Sequence, residues 1–428
     1  MLGMEVNIGL IGIGTIGSGV VRLLQENCSL IEKRTGIRIN LKKACDKEIK
    51  KGIAIGLGRQ QLCASYEEVL NDSSIDIVIE LVGGYEPAKS IIEGALKNNK
   101  HVVTANKAVL SKYSTEIFQI AENFRRYLNF EASVAGCIPI IRILQESYNS
   151  DEFKAIYGIL NGTTNYILTK MQEGLGYEEA LKKAQMKGFA EADPSFDVEG
   201  KDTAQKLNIL SLLAFNSEIS EQIYTEGIAS ISKNDIMYAD ELGYVIKLLA
   251  IAKKKAREIE LRVHPTMIPK SHELSSVSNE FNAIYLVGNN TGDTMFYGKG
   301  AGQMPTAVVI VSDIIDISRK LISKEYAPLQ RNFNKFTITQ MEKTVSRYYF
   351  RFHVVDKPGV LGKITSELGR NNVSIAGVSQ KEENKDIVPL IITTHLALER
   401  DVRNAIECID RLDVVRDKTT VIRIEDIP

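Results

Sequence analysis

The apolar run Val6–Ile11, followed directly by Gly12-Ile13-Gly14-Thr15-Ile16-Gly17, decides the fold. A short strand that ends in three glycines at this spacing and continues into an amphipathic stretch (Val20 to Leu30) opens a βαβ unit. The first glycine permits the tight turn, the second lets a pyrophosphate approach the backbone, and the third lets helix and strand pack closely. The helix that starts here offers unpaired N–H groups and the positive end of its dipole to an anion. Gly12, Gly14, Thr15, Ile16 and Gly17 are therefore expected to hold a dinucleotide, NAD or NADP.

Working outward, Ile39–Cys45 reads as a second strand. Ile75–Val82, apolar apart from Asp76 and Glu80 and ending in Gly83-Gly84, reads as a third, and His101–Thr104 and Leu128–Ala132 add two more. Strands alternating with helical segments predict a parallel sheet with crossover helices, a doubly wound Rossmann domain over residues 1–135. Asp46, near the end of the second strand, is the candidate partner for a ribose 2′-hydroxyl. It stands 29 residues after Gly17 because residues 28–38 read as an insertion or a longer helix. Lys42, Lys43 and Lys47 flank it and can instead receive a 2′-phosphate, or form an ordinary surface charge run. NAD and NADP both stay open.

The middle of the chain is less regular. Phe153–Leu160 reads as a strand, a helix follows Asn161-Gly162-Thr163-Thr164 to about Met171, and another spans Tyr177–Lys187. Thr203–Phe215 is apolar nearly all round, as a buried helix is. Residues 281–297 alternate like strands and lead into a glycine-rich loop, Gly298 to Gly302. Pro305 then sits in the opening turn of a long helix through Ser323. These segments make an α+β domain over residues 136–326. Residues 327–346 are polar and mixed, as in a linker. From Arg347 to the end the order strand, helix, strand, strand, helix, strand is the ferredoxin-like split βαβ pattern.

Composition bounds the rest. A chain of 428 residues is too long for one ordinary core. Its 44% hydrophobic and 25% charged residues are those of a globular protein, and a net charge of −1 supplies no field to gather nucleic acid or an anionic membrane. Cys28, Cys45, Cys63, Cys137 and Cys408 are scattered and contain no CxxC pair, which argues against a disulfide framework or a zinc site. The N-terminus has no secretory pattern and no apolar run is long enough to cross a bilayer, so the expected location is the cytoplasm.

Three places carry chemistry. Asp202 and Lys206 are four residues apart and share one helical face that continues into the apolar helix. Such a pair either caps a buried helix or binds a substrate ammonium while the lysine exchanges a proton with an oxygen. Lys107, in Val103-Thr104-Ala105-Asn106-Lys107, lies just past a strand of the parallel sheet, where ligands of open α/β sheets bind; it can equally be a solvent lysine at a helix start. Glu131, on an apolar segment with irregular backbone after it, has the oxygen chemistry for a hard cation.

Taken together these segments resemble homoserine dehydrogenase across essentially the whole chain. The matching pieces are the glycine turn, Thr104-Ala105-Asn106-Lys107, Glu131 through Pro139, Asn161-Gly162-Thr163-Thr164-Asn165, Gly188 through Lys206, and Gly300-Ala301-Gly302-Gln303-Met304-Pro305-Thr306-Ala307. The resemblance implies NAD(P)-dependent interconversion of L-homoserine and L-aspartate 4-semialdehyde in threonine, methionine and isoleucine biosynthesis. It makes residues 136–326 the substrate-binding and dimerisation domain, with helix 305–323 packing back on the Rossmann domain. It implies that Glu191 and Asp202 hold the amino-acid end of the substrate and that Lys206 transfers the proton. Lys107 then lies near nicotinamide and substrate as a second proton-transfer partner or a positioning group, and Gly188 and Gly302 line the cofactor. Glu131, with the carbonyls of Val134, Gly136 and Ile138, corresponds to the family's monovalent cation site, usually sodium. The family usually has glycine where this chain has Ala135 and Cys137, so a positive φ at either would be strained.

Residues 347–428 resemble an ACT domain, with Asp356-Lys357-Pro358-Gly359-Val360-Leu361 where that family binds small amino acids. Feedback by threonine is the implication, and edge-to-edge pairing of such domains implies a homodimer or homotetramer. With nothing kinase-like before the glycine turn, the chain reads as a stand-alone dehydrogenase. Two other readings are another oxidoreductase on this scaffold and a catalytically inactive amino-acid-sensing regulatory protein.

Overall fold

The computed structural model describes residues 4–219, 222–323, 333–380 and 386–428. The first third runs β1 (Met4–Ile11), α1 (Thr15–Thr35), β2 (Ile37–Cys45), α2 (Ile49–Ala54), β3 (Leu62–Cys63), α3 (Glu67–Leu70), β4 (Ile77–Glu80), α4 (Ala88–Lys97), β5 (His101–Thr104), α5 (Lys107–Asn123) and β6 (Leu128–Asn129). The middle adds α6 (Ile140–Arg142), β7 (Phe153–Ile159), α7 (Gly162–Gln172), α8 (Tyr177–Met186), α9 (Ser195–Val198), α10 (Lys201–Ala214), β8 (Tyr224–Thr225) and α11 (Lys233–Glu241). The long strands β9 (Tyr244–Lys255) and β10 (Glu258–Pro269) follow, then β11 (Phe281–Gly288), β12 (Asp293–Lys299) and α12 (Gln303–Ser323). The C-terminal part comprises β13 (Thr337–Ile338), β14 (Val345–Val355), α13 (Val360–Arg370), β15 (Ile375–Gln380), β16 (Ile387–Thr394), β17 (Ala397–Leu398), α14 (Glu399–Ile409) and β18 (Thr420–Ile424).

The chain forms two compact units. One comprises Met1–Glu152, Gln205–Ser220 and Phe296–Lys335; the other comprises Phe153–Ala204, Glu221–Met295 and Phe336–Pro428. The first unit holds a parallel six-stranded sheet of order β3-β2-β1-β4-β5-β6, the doubly wound arrangement. One face is covered by α1 and α12, whose Val20, Val21, Leu24, Ile310, Ile314 and Ile317 share a core with Ile8, Leu10 and Ile79. On the other face α4 and α5 bury Ile91, Ile92, Val109 and Ile117 against Val78 and Val102. Residues 28–35 continue α1, so a longer helix accounts for the wide spacing between Gly17 and Asp46. The strand expected through Val82 stops at Glu80, because the Glu80 carboxylate takes the N–H groups of Val82 and Gly83. The strand expected through Ala132 stops at Asn129 and gives way to a 3₁₀ turn, where the backbone and hydroxyl of Ser133 both donate to the Phe130 carbonyl.

The second unit is built on one sheet in which strands run in the order β11-β7-β9-β10-β18-β14-β16-β15. Its centre is β10, antiparallel to β9 along its whole length and parallel to β18 through Thr266↔Arg423 and Met267↔Ile424. The βαββαβ segment from β14 to β18, with α13 and α14 packed on its sheet, therefore continues the sheet of the segment before it. Part of the expected linker, 327–332, lies outside the described residues; of the remainder, Thr337 and Ile338 pair with Glu258 and Ile259 of β10.

Buried charge lines this seam. The fully buried Arg262 bonds Glu260 and Glu425, each at 2.6 Å. Arg423 bonds Glu399 at 2.8 Å and Glu226 at 2.9 Å, and Tyr348 donates to Glu399 at 2.8 Å. Burial pushes the carboxyls of Glu399 and Glu425 up, but the arginines beside them outweigh it and hold both below the usual range. Arg351 of β14 grips both oxygens of the buried Asp235 of α11, at 2.7 and 3.0 Å.

Candidate active site

At the glycine turn the three glycines differ in what they require. Gly12 has φ +104°. Gly14 faces open space, with nothing within 4 Å of where a Cβ would stand. A Cβ on Gly17 would lie 2.1 Å from the Gly12 carbonyl oxygen, which only glycine avoids. No side chain caps α1 and its first turn holds no acidic residue, so the amides after Gly14 face outward with the helix dipole behind them. Gly14 and Thr15 are exposed, Ile16 is half-buried, and the Thr15 carbonyl is bonded by Gln303 of α12. Asp46 does not project freely. One carboxylate oxygen accepts from Ile13 N at 2.8 Å and the other from Glu48 N at 2.9 Å. Burial pushes its carboxyl up, but these two bonds and Lys51 outweigh it and leave it below the ordinary value. Lys43 turns toward the Glu68 carbonyl and Asp72, while Lys42 and Lys47 are exposed.

Past β4 and β5 the chain makes a closed knot of hydrogen bonds. Glu80, wholly buried, accepts from Val82 N at 2.8 Å, Gly83 N at 3.3 Å and the Thr104 hydroxyl at 2.6 Å. Thr104 Oγ1 accepts from Asn106 N at 3.0 Å. The Asn106 side chain caps α5 by accepting from Val109 N at 3.1 Å and donates to the Gly84 carbonyl at 2.9 Å. Lys107, half-buried, is the first residue of α5. Gly83 and Gly84 have φ of +79° and +70° and open space beside them, so the backbone conformation itself calls for glycine.

Helix α10 carries Asp202 and the half-buried Lys206 one turn apart. Asp202, 5% exposed, accepts from the Asn161 amide at 2.8 Å, and the same nitrogen donates to Asp197 at 2.8 Å. The side-chain Oδ1 of Asn161 caps α7 by accepting from Thr164 N, and Thr163 donates to the Phe189 carbonyl at 2.6 Å. Two carboxylates are thus drawn to one amide, beside a loop in which Glu191 is exposed and Gly188 takes φ +72°. Gln205, next to Lys206, reaches the Tyr85 hydroxyl at 3.5 Å. Asn161, Asp197, Glu80 and Tyr85 were not among the residues singled out by sequence. The motif from Asn161 to Asn165 was visible, but not which side chains it would hold.

Glu131 is buried, and its two oxygens accept from Ile141 N and Arg142 N, each at 2.8 Å, at the start of α6. Its own N–H donates to Asp313 at 2.9 Å, and Arg142 pairs with Asp313 at 3.3 Å. Burial pushes Glu131 up to about 7 and Asp313 up to about 8. Both carboxylates border a cavity of about 280 Å³. Ala135 and Gly136 take φ of +55° and +56°, so Ala135 occupies a conformation that favours glycine, whereas Cys137 does not. A Cβ on Gly136 would come within 2.5 Å of Gly300, which keeps this turn in contact with the loop leading to Gly302, itself at φ +125°. The structure thus brings the glycine turn, Lys107, Lys206, Glu131 and Gly302 into the first unit, and Asp202, Glu191 and Gly188 into the second.

Three family models match: the homoserine dehydrogenase NAD-binding domain over residues 12–131, homoserine dehydrogenase over 139–315 and the ACT domain over 348–414. The homoserine dehydrogenase of Neisseria gonorrhoeae is 40% identical over 99% of each chain. That of Bacillus subtilis is 39% identical over 98% of each. The crystal structure of a homoserine dehydrogenase from Thiobacillus denitrificans superposes with a TM-score of 0.94 at 40% identity, covering all of both chains. A hyperthermophilic archaeal homoserine dehydrogenase in complex with NADPH is similar at a TM-score of 0.65 and 25% identity, covering 74% of this chain and 98% of that one.

Proposed function

The chain belongs to the homoserine dehydrogenase family, and from that premise we propose that it interconverts L-homoserine and L-aspartate 4-semialdehyde, with Lys206 as the acid–base group. The family makes it an oxidoreductase with a NAD-binding domain. The observation that carries the reading is the start of α10, where a clamped, buried Asp202 stands one helical turn from Lys206.

When bound, the nicotinamide supplies or accepts the hydride. The chain's own residues do the rest. The turn Gly12–Gly17 and the amides after Gly14 would hold the pyrophosphate, and Gly188 and Gly302 would line the rest of the cofactor. Asp202 and Glu191 take the substrate ammonium, and the bond from Asn161 keeps Asp202 in place for it. As the carbonyl oxygen gains charge, the Lys206 ammonium donates a proton to it; in the oxidative direction the neutral amine removes the hydroxyl proton. Lys107, held at the first position of α5, is a second proton-transfer partner or a positioning cation. Glu131, with the carbonyls of Val134, Gly136 and Ile138, fits a monovalent cation such as sodium. The supporting observation is a buried carboxylate pushed up to about 7, which a neighbouring positive charge would bring down again.

Asp46, tied to Ile13 N yet partly accessible, can meet a ribose hydroxyl, while the exposed Lys42 and Lys47 offer charge to a 2′-phosphate. Both cofactors stay in the proposal. Threonine at Asp356–Leu361, regulation through the ACT domain, a homodimer or homotetramer and a cytoplasmic location complete it. Among the described residues no helix is long and apolar enough to cross a membrane. Nothing favours the catalytically inactive alternative.

The test is oxidation of NADH and NADPH, side by side, with aspartate semialdehyde. Lys206→Ala is expected to lose about 10²- to 10⁴-fold in kcat with a smaller change in KM. Near-normal turnover in that variant would remove Lys206 from the chemistry.

A further inference from the structure

Glu80 is a buried ionisable group that the hydride and proton chemistry does not use. It ends β4, its side chain fully enclosed, and every bond shown to it comes from a donor: Val82 N, Gly83 N and the Thr104 hydroxyl. Burial pushes the Glu80 carboxyl up against the pull of these donors, and the 2.6 Å bond from Thr104 ties it to β5. The cost of burying an ionisable group calls for a reason. A structural peg between two parallel strands would need no more than an amide.

The bonds continue from Glu80 in one direction through the Thr104 hydroxyl to Asn106 N, and in the other through the loop to the Gly84 carbonyl, which Asn106 also binds. They close at Asn106, whose side chain caps α5 and whose next residue is Lys107. The ring of bonds spans the carboxyl ends of two adjacent central strands, the edge where open α/β sheets hold ligands.

We propose that Glu80 is a positioning residue for the reaction, acting through Thr104 and Asn106 to fix both the Val82–Gly84 loop and the start of the helix that presents Lys107. The proposal rests on Lys107 belonging to the active site. Thr104 is the relay, because its hydroxyl donates to Glu80 while accepting from Asn106 N, and only a hydroxyl does both.

The experiment uses the full chain with Glu80→Gln, Thr104→Val, Thr104→Ser, the Glu80→Gln/Thr104→Val double variant and Lys107→Met. Each is assayed for kcat, substrate KM and direct cofactor binding, and for thermal unfolding. Expected is a loss of about 10- to 100-fold in kcat for Glu80→Gln and for Thr104→Val, with substrate KM and cofactor affinity within threefold. Thr104→Ser restores most of the rate, and the double variant is no slower than the worse single, as for two members of one chain of bonds. If Glu80→Gln does not fold, the Thr104 pair carries the test alone. Normal turnover in Thr104→Val, equal loss in Thr104→Ser and Thr104→Val, or multiplying losses in the double variant would overturn the relay. Full activity in Lys107→Met would overturn the premise instead, whatever the Thr104 variants do.

Discussion

In the second unit Arg262 lies fully enclosed between Glu260 and Glu425, and Arg423 between Glu399 and Glu226, so that the Glu399 and Glu425 carboxyls are held below their ordinary range. In the first unit Glu131 and Asp313, equally deep, have beside them Arg142, which is one-third exposed, and both are pushed up, to about 7 and about 8. The same chemical groups at the same burial therefore behave oppositely, and the difference lies in how completely a guanidinium neutralises them. Full pairing makes a fixed joint, whereas incomplete pairing leaves carboxyls that favour a proton.

Removing a partner from the paired region should have the largest effect. Arg262→Met leaves Glu260 and Glu425 as buried charges without their shared arginine, and a loss of about 3–5 kcal/mol is expected in denaturant unfolding. A loss under about 1 kcal/mol would mean that the pairing contributes little and that the two regions are alike after all.

The next effect separates them by pH. Glu131 titrates near 7 in the fold against an ordinary value of 4.5, so the stability it allows is complete below about pH 4.5 and is lost as pH rises through 7. Asp313 acts in the same direction up to about 8. If a monovalent cation binds here, sodium in place of tetramethylammonium at equal ionic strength should raise the Tm at pH 8 by roughly 2 °C or more, about 1 kcal/mol. It should do nothing at pH 4.5. Equal melting in the two salts at pH 8 would argue against the cation.

The smallest effect concerns the turn beside Glu131. Ala135 sits at φ +55°, and Ala135→Gly should relieve that strain for a net gain of about 0.5 kcal/mol after the added freedom of the unfolded chain. A destabilised Ala135→Gly variant would show that the methyl group packs usefully enough to offset the strain.

What sequence could foretell follows the range over which each signal acts. The glycine turn, the helix after Asn161 and the βαββαβ order were legible because each is written in consecutive residues: a glycine that must turn, a cap three residues from its amide, an alternation of periods. The hairpin β9–β10 was not, since Ile246–Ala252 and Ile259–Ile268 are buried on both faces and show no alternation to read. Arg262, Lys247 and His264 inside it even argue against a core strand until their partners are known. At the site, the spacing of Asp202 and Lys206 was readable as one helical face. The amide that joins Asp202 to Asp197 comes from Asn161, 41 and 36 residues away, and no periodicity links them.

The pairing of β18 with β10 has a practical corollary for anyone who would trim this chain. A fragment ending before Val345 would keep β10 while losing Arg423 and Ile424 from its flank, and would leave Arg262 without Glu425. The bare strand edge would invite association with other copies. The ACT module is better regarded as the outer half of a shared wall than as an appendage on a tether, and cutting it away removes masonry.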